Sequence, residues 1–275
     1  MKQLDLVILG AIPREISSLA AAFPKTGTLE LAGNSFSLHG IRGHSLLAGT
    51  TGIGKVNAAA VTGAILARFG ALRVWNTGCA GAYRESGLRI GDVLVSRECL
   101  CGDEGILTGS GITPAGYIGI PLLHHEGSPL YDRMPAPAHI QMESELPGGR
   151  YFLSPQGQLL PCRNEPAPGG CFTIEYGSSL TVGMASGDED AAGTRFRHHG
   201  ALAENMEGSA IAQVCCLFGV PFLECRGISN IAGKRDKAAW DFDAALTRSQ
   251  AVIAFMIDGL FPAANVISKL QRPWT

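Results

Sequence analysis

Four stretches of the 275-residue chain put polar or reactive side chains where an ordered backbone would hold them. Gly49-Thr50-Thr51-Gly52-Ile53-Gly54-Lys55-Val56 comes close to the phosphate-binding loop, in which glycine-rich backbone cradles phosphates and a final Ser or Thr hydroxyl holds magnesium. Val56 has no hydroxyl, and no later acidic strand end offers a second magnesium ligand. What remains is a tight strand-to-helix turn, or one that lets backbone approach a small polar ligand. Asn76-Thr77-Gly78-Cys79-Ala80-Gly81 follows a buried apolar run. In open α/β sheets ligands collect at the carboxyl ends of strands, and glycine at 78 and 81 would let backbone N–H groups face one; a plain turn is the alternative. Cys79 has no histidine or acid placed beside it by sequence, which argues against a covalent nucleophile. Glu204-Asn205-Met206-Glu207-Gly208 opens a helix, where a glutamate can simply complement the helix dipole. Finally, Arg226, Ser229 and Asn230 finish an apolar run that starts at Val220. Three polar groups at one strand end need partners, from a structural network or from a ligand.

Other reactive residues carry less. The pairs His124-His125 and His198-His199 lack metal-ligand spacing, and the second falls on a helix with Arg195 and Arg197. None of the eight cysteines forms a Cys-x-x-Cys pair, so a zinc site of the usual spacing is not expected; most lie in apolar runs and read as buried reduced thiols. No metal or cofactor is expected. With 46% apolar and 17% charged residues the chain is globular, and a net charge of −2 offers no basic field for nucleic acid or an anionic membrane.

The elements that must position these residues alternate. Residues 2–9 read as a buried strand, too short an apolar run for a signal peptide, with a helix from about Pro13. The later apolar stretch Ala251–Ile267 is broken by Asp258 and Pro262 and is not a membrane span, so the default location is cytoplasmic. Lys55 to Phe69 reads as a helix with Val56, Ala60, Gly63 and Ala67 on one small-residue face. Strands are expected at Leu72–Asn76, Asp92–Cys101, Leu180–Ala185 and Val220–Ile228, and helices at about 188–199, 206–218 and from Asp243. Such alternation predicts a single α/β domain over 1–275, a central mixed sheet flanked by helices in three layers. Ten of the fifteen prolines fall in 103–178, which reads as an irregular, lid-like or interface insertion with hairpin strands at Arg150–Leu153 and Cys171–Tyr176.

In order along the chain, Gly10-Ala11-Ile12-Pro13-Arg14-Glu15, Gly52-Ile53-Gly54-Lys55-Val56, Asn76 to Gly81, Gly91-Asp92-Val93-Leu94-Val95-Ser96, Ser186-Gly187-Asp188, Asn205-Met206-Glu207-Gly208 and Arg226-Gly227-Ile228-Ser229-Asn230 resemble the nucleoside phosphorylase and nucleosidase superfamily. The branch resembled is the one with methylthioadenosine/S-adenosylhomocysteine nucleosidase and futalosine hydrolase. Each motif alone is weak; seven in register are specific, and residues 103–178 do not follow the pattern.

The resemblance implies cleavage of an N-glycosidic bond, which builds positive charge on the ribose and negative charge on the departing base. Glu15 matches the family's water-activating glutamate and would be the general base. Glu207 would hold the ribose hydroxyls and stabilise the cationic sugar. Met206 would pack beneath the ribose, Arg226, Ser229 and Cys79 fall where the family orders the water and its neighbours, and Cys79, Ala80, Gly81 and Asn205 are expected with Met206 to bind the substrate. Adenine-specific members have an aspartate at the place of Asn230, which can protonate N7. An amide cannot deliver that proton, but it can donate to N7 and to a 6-oxo group, which suits a 6-oxopurine. Gly233-Lys234-Arg235-Asp236-Lys237-Ala238-Ala239-Trp240-Asp241 also looks like futalosine hydrolase, with Arg235, Asp236 and Trp240 either shaping the pocket or positioning a helix start. The implied reaction is hydrolysis of futalosine to hypoxanthine and dehypoxanthine futalosine, a step of menaquinone synthesis, by at least a homodimer. The rivals are a nucleosidase for 6-aminopurine nucleosides (aminodeoxyfutalosine, methylthioadenosine or S-adenosylhomocysteine), a phosphate-dependent phosphorylase and a catalytically silent nucleoside-binding protein.

Overall fold

Strand β1 (Leu6–Gly10) is buried along its whole length, and its side chains alternate between two apolar layers. Leu6 and Ile8 join one cluster, Val7 and Leu9 the other. That is what period-two geometry demands of a strand covered on both faces. The computed structural model describes residues 3–41, 43–109, 111–155, 157–162 and 170–261.

After β1 come a 3₁₀ turn (Pro13–Glu15), α1 (Ser17–Ala21), β2 (Lys25–Leu31), β3 (Asn34–Ile41), β4 (His44–Thr50), α2 (Lys55–Phe69), β5 (Val74–Ala82) and β6 (Val93–Cys101). Two separate hairpins follow: β7 (Gly105–Thr108) with β8 (Gly111–Pro114), and β9 (Leu123–His125) with β10 (Ser128–Leu130). Then come β11 (Arg133–Pro135), α3 (His139–Glu145), β12 (Gly149–Leu153), β13 (Leu159–Pro161), β14 (Phe172–Thr181), α4 (Glu189–His199), β15 (Ala203–Asn205), α5 (Gly208–Phe218), β16 (Phe222–Ile231) and α6 (Phe242–Leu260).

Twelve strands form one mixed sheet in the order β13-β12-β14-β6-β16-β5-β1-β4-β3-β2, with β11 on β6. β4, β1, β5 and β16 run parallel, and β16 meets β6 antiparallel. Short β15 pairs with both β14 and β5, closing β14-β6-β16-β5-β15 into a ring. The first apolar layer brings Ile16, Leu19 and Met142 of the α1 and α3 regions together with Val252, Ile253 and Ile257 of α6. The second brings Ala58, Val61 and Ile65 of α2 together with Ile211 and Cys215 of α5. This is the expected α/β architecture, a central sheet with helices on both faces.

Several local expectations shift. Helix α2 has the expected bounds, but the face of Val56, Ala60 and Ala67 is exposed, and Ala58, Val61, Thr62, Ile65 and Leu66 make the buried one. Strand β5 does not stop at Asn76; it runs on through Gly78 and Gly81 to Ala82, paired with β16 almost throughout. Gly78 is thus strand, not turn, and its small size serves a close approach described below. Residues 103–178 carry the two hairpins, α3 and the strands β11 to β13 along with most of β14. β12 pairs antiparallel with the start of β14, Tyr151 opposite Phe172, so the two strands expected there do meet, with β13 between them in sequence. Cys162 and Cys171, expected as thiols, form a disulfide at a Cα–Cα distance of 6.2 Å, within the span a bridge requires; the other six cysteines are free. Among the described residues no helix is long and apolar enough to cross a membrane. Residues 262–267 of the apolar stretch lie outside the described residues.

Candidate active site

The carboxyl ends of β1, β5 and β16 open on a cavity of about 340 Å³. Glu15, Cys79, Ala80 and Gly81 line one part of it, and Asn205, Met206, Glu207, Ser229 and Asn230 another. Nine of the ten residues singled out from sequence therefore share one wall. The tenth, Arg226, is fully buried and pairs with Glu207, Nη1 to Oε2 at 3.5 Å.

Glu15 ends the 3₁₀ turn after β1 and is itself buried. Its Oε2 accepts from the amides of Ala11 (2.6 Å) and Ile12 (3.2 Å), and its Oε1 accepts from the amide of Cys79 (3.1 Å). Three backbone donors thus fix one carboxylate across β1 and β5. A Cβ at Gly78 would fall 2.5 Å from Glu15 Oε1 and 2.8 Å from Arg226 Nη1. Only glycine lets the carboxylate and the guanidinium come this close to the strand.

Glu207 is the N-cap residue of α5. Its Oε1 accepts from the amide of Gly54 at 3.0 Å. Gly54 has φ +95°, a conformation costly for any side chain, so the glycine-rich loop is shaped to aim this amide. The loop's lysine faces elsewhere: Lys55 Nζ binds Asp103 and, at 2.6 Å, Glu104. These carboxylates outweigh the opposing effect of burial and hold Lys55 above its ordinary pKa. The loop that resembles a phosphate cradle thus directs its amide at a carboxylate and keeps its lysine in an ion-pair cluster. Burial pushes the Glu207 carboxyl above the usual range, and Arg226 and the Gly54 amide offset only part of that.

Behind these residues lies an acid that the sequence reading passed over. Glu224 is 0% exposed and sits on β16 two residues before Arg226, on the same face of the strand. Its Oε2 accepts from Arg226 Nε and from Asn76 Nδ2, both at 3.1 Å, and lies 3.0 Å from Arg226 Nη2. Its Oε1 accepts from the hydroxyls of Ser96 (2.8 Å) and Ser179 (2.5 Å). Burial alone would raise this carboxyl; Arg226 and the two hydroxyls overcome it and hold the pKa below the ordinary glutamate value. Arg226 is in turn kept charged against burial by Glu224, Glu207 and Glu15. An i, i+2 pair of opposite charges inside an apolar strand was the available signal.

The remaining residues divide. Asn205 lines the cavity, but its Oδ1 accepts from the amides of Glu207 (3.1 Å) and Gly208 (2.8 Å), so it braces the start of α5. Glu204, also on the wall, is held by the Tyr83 hydroxyl at 3.0 Å, by the amide and hydroxyl of Ser186 (2.8 and 2.6 Å) and by Arg195 at 3.3 Å. Burial, aided by Glu15, pushes the Cys79 thiol up to about 12, which makes a resting thiolate nucleophile untenable. The Ser229 hydroxyl donates to Asn230 Oδ1 at 2.8 Å, and Asn230 Nδ2 donates to the Ile231 carbonyl at 3.2 Å, so the carboxamide is oriented from both ends and keeps the second Nδ2 hydrogen as a donor. Arg235, Trp240 and Phe242 also line the cavity, while Asp236 caps the 3₁₀ turn Lys237–Ala239 through the amide of Ala238. The two roles left open for 235–240 thus fall to different residues. His125 Nδ1 contacts the Cys216 carbonyl at 3.1 Å, and His199 is buried within α4 rather than solvated. Among the described residues no group of three or more His, Cys, Asp or Glu is arranged to hold a metal ion.

Residues 5–261 match the Phosphorylase superfamily. The chain belongs to the Phosphorylase superfamily. Its relatives in the superfamily include a 5'-methylthioadenosine/S-adenosylhomocysteine nucleosidase of Bacillus thuringiensis (strain Al Hakam), 28% identical over 264 residues, covering 93% of this chain and 99% of the relative. Among solved structures it is similar to such a nucleosidase from Colwellia psychrerythraea 34H in complex with adenine, with a TM-score of 0.67 and 22% identity over 98% of this chain and 97% of that one. It is also similar to the native structure of futalosine hydrolase of Helicobacter pylori strain 26695, with a TM-score of 0.67 and 21% identity over 97% of each chain. At these identities the structural likenesses speak for the superfamily's fold.

Proposed function

We propose that the chain is a nucleosidase that hydrolyses the N-glycosidic bond of a 6-oxopurine nucleoside, with futalosine as its substrate and hypoxanthine as the released base. Its coarse part, hydrolysis of an N-glycosidic bond, is the activity named for the Bacillus relative across 93% of the chain. Glu15 takes the proton of the attacking water. Glu207 binds the ribose hydroxyls and, with Glu15 and Glu224 arrayed around one arginine, surrounds the developing sugar cation with negative charge in a site of low dielectric. Met206 packs against the ribose, and Asn230 donates Nδ2 to the purine. Water is favoured over phosphate because the amides of Ala11, Ile12 and Cys79, which would otherwise suit an anion, already bind the Glu15 carboxylate.

The observation that carries the 6-oxopurine reading is the Ser229 to Asn230 hydrogen bond at 2.8 Å. It supports a donor role for the second Nδ2 hydrogen toward the purine, since an amide, unlike a carboxylic acid, cannot protonate N7. The test is base release from futalosine, aminodeoxyfutalosine, methylthioadenosine and inosine, each with and without phosphate. Hypoxanthine from futalosine, indifferent to phosphate, is expected. Adenine release in preference would overturn the role of Asn230, and a rate that depends on phosphate would overturn hydrolysis. A homodimer in the cytoplasm, with 103–178 as an insertion in one domain, belongs to the same reading; light scattering and cell fractionation check it.

A further inference from the structure

Acids dominate the ionisable groups of the cavity wall: Glu15, Glu204 and Glu207 are buried in it. Among the described residues that line it, Arg235 is the one cation. Of the neighbouring cations, Arg14 pairs with Asp243, Arg84 and Lys234 with Glu189, and Arg195 with Glu204, while the exposed Lys237 does not line the cavity. Arg235 has no carboxylate partner among the described residues. Its guanidinium lies 5.0 Å from the centroid of the Trp240 ring.

Its surroundings are ordered. Trp240 Nε1 donates to the Lys234 carbonyl at 3.4 Å, and the Trp240 ring meets Phe242 edge-on at 5.5 Å. Asp236 caps the turn that follows. A Cβ at Gly233 would fall 2.5 Å from the Asp188 carbonyl oxygen, so the loop is seated tightly on the start of α4. Arg235 is exposed, whereas Glu15 and Glu207 are buried, so the cation marks the cavity's rim and the acids its floor.

We infer that Arg235, stacked on Trp240, is a specificity residue that binds an anionic group on the solvent-facing substituent of the nucleoside. This rests on the nucleosidase reading above, since it takes the sugar to lie on the acidic floor. A neutral nucleoside has no use for a rim guanidinium. An anionic one entering an acidic cavity is repelled unless a cation meets it, and a guanidinium presents planar paired donors suited to a carboxylate or phosphate oxygen pair. The ring beneath it holds the cation in place and offers a face to a planar linker.

The test uses a carbon-linked 9-deazainosine, which cannot be cleaved, bearing a 5′-linked carboxylate, its neutral methyl ester or a 5′-phosphate. Binding of each is measured calorimetrically to the native chain and to Arg235→Ala and Arg235→Lys, at low and high salt. The native chain should prefer the carboxylate to the ester by about tenfold, a ratio equal to about 1.4 kcal/mol. Arg235→Ala should abolish the preference, Arg235→Lys should retain part of it, and salt should weaken it. The phosphate arm shows which anion is favoured. No preference in the native chain, or one that survives Arg235→Ala, overturns the assignment. Hydrolysis of the cleavable inosine ester, assayed in parallel, tests the nucleosidase reading alone: cleavage with no charge preference sinks only the role of Arg235.

Discussion

Replacing Glu224 with glutamine tests whether the active-site charge cluster is organised from behind. Glu224 and Arg226 are both fully buried, and the guanidinium reaches Glu224 through Nε at 3.1 Å while Nη1 reaches Glu207 at 3.5 Å. Glutamine keeps the shape but removes the charge, and it brings an NH₂ among groups that donate: Asn76 Nδ2, the Ser96 and Ser179 hydroxyls and the guanidinium itself. Breaking a buried pair from one side costs about 3–5 kcal/mol, and Arg226 would be left with the longer contact to Glu207 at 3.5 Å as its remaining carboxylate pair. For a chain of this size about 2–4 °C of Tm follows each kcal/mol, so the melting point should drop by about 6–20 °C. The loss should depend on pH in a defined sense. The folded pKa of Glu224 lies below its unfolded value, so its contribution is present above the unfolded value and is lost as pH falls through the folded one. The gap between native and Glu224→Gln stability, read by denaturant unfolding from pH 7 downward, should therefore be widest at neutral pH and close in acid. A cost under about 1 kcal/mol at pH 7, below the range for a broken buried pair, or a gap that does not change with pH, would refute the view that Glu224 is the charged anchor of Arg226.

Four further outcomes follow from the geometry. Gly78→Ala pushes a methyl group into Glu15 and Arg226; since a misplacement of about 1 Å can cost about 100-fold, kcat/KM should fall by that order, and a near-native value would show that Glu15 need not sit where it does. The acid limb of kcat/KM should titrate above 4.5, the ordinary glutamate value, because burial raises Glu207 and only its carboxylate stabilises the sugar cation; a limb at or below 4.5 would remove Glu207 from that role. Alkylation of Cys79 at pH 8, followed by mass spectrometry, should run roughly a thousandfold slower than for a free cysteine, as its pKa is raised from 9.0 to about 12. Asn230→Asp should weaken 6-oxopurine substrates more than 6-aminopurine ones, and equal loss in both would undo the assignment of Asn230 to the base.

What could be read from sequence was whatever local periodicity encodes. The continuous apolar run at Leu6–Gly10 has to be a strand covered on both sides, and Lys55–Phe69 and the run from Phe242 have to be helices, because pattern and caps lie within a few residues of one another. The candidate residues were legible for another reason, their order in a shared family pattern, and that is why nine of them surface in one cavity. What stayed hidden depends on contacts distant in sequence. That Asp103 and Glu104, nearly fifty residues on, take Lys55 into an ion-pair cluster could not be read from the glycine-rich motif around it. Gly54 looked like a turn glycine, while its amide serves a glutamate 153 positions away. Asn205, read as a substrate-binding residue and found in the cavity wall, also braces the amides of 207 and 208, a second role that only placing the side chain reveals. Glu224 is the sharpest case. In an otherwise apolar strand a single acid looks like an exception to burial, yet with Arg226 two residues on it is a condition for burying the arginine at all. Opposite charges at i and i+2 within a strand that must be covered on both faces already imply a paired, water-free cluster. They point to the floor of this site independently of any family resemblance.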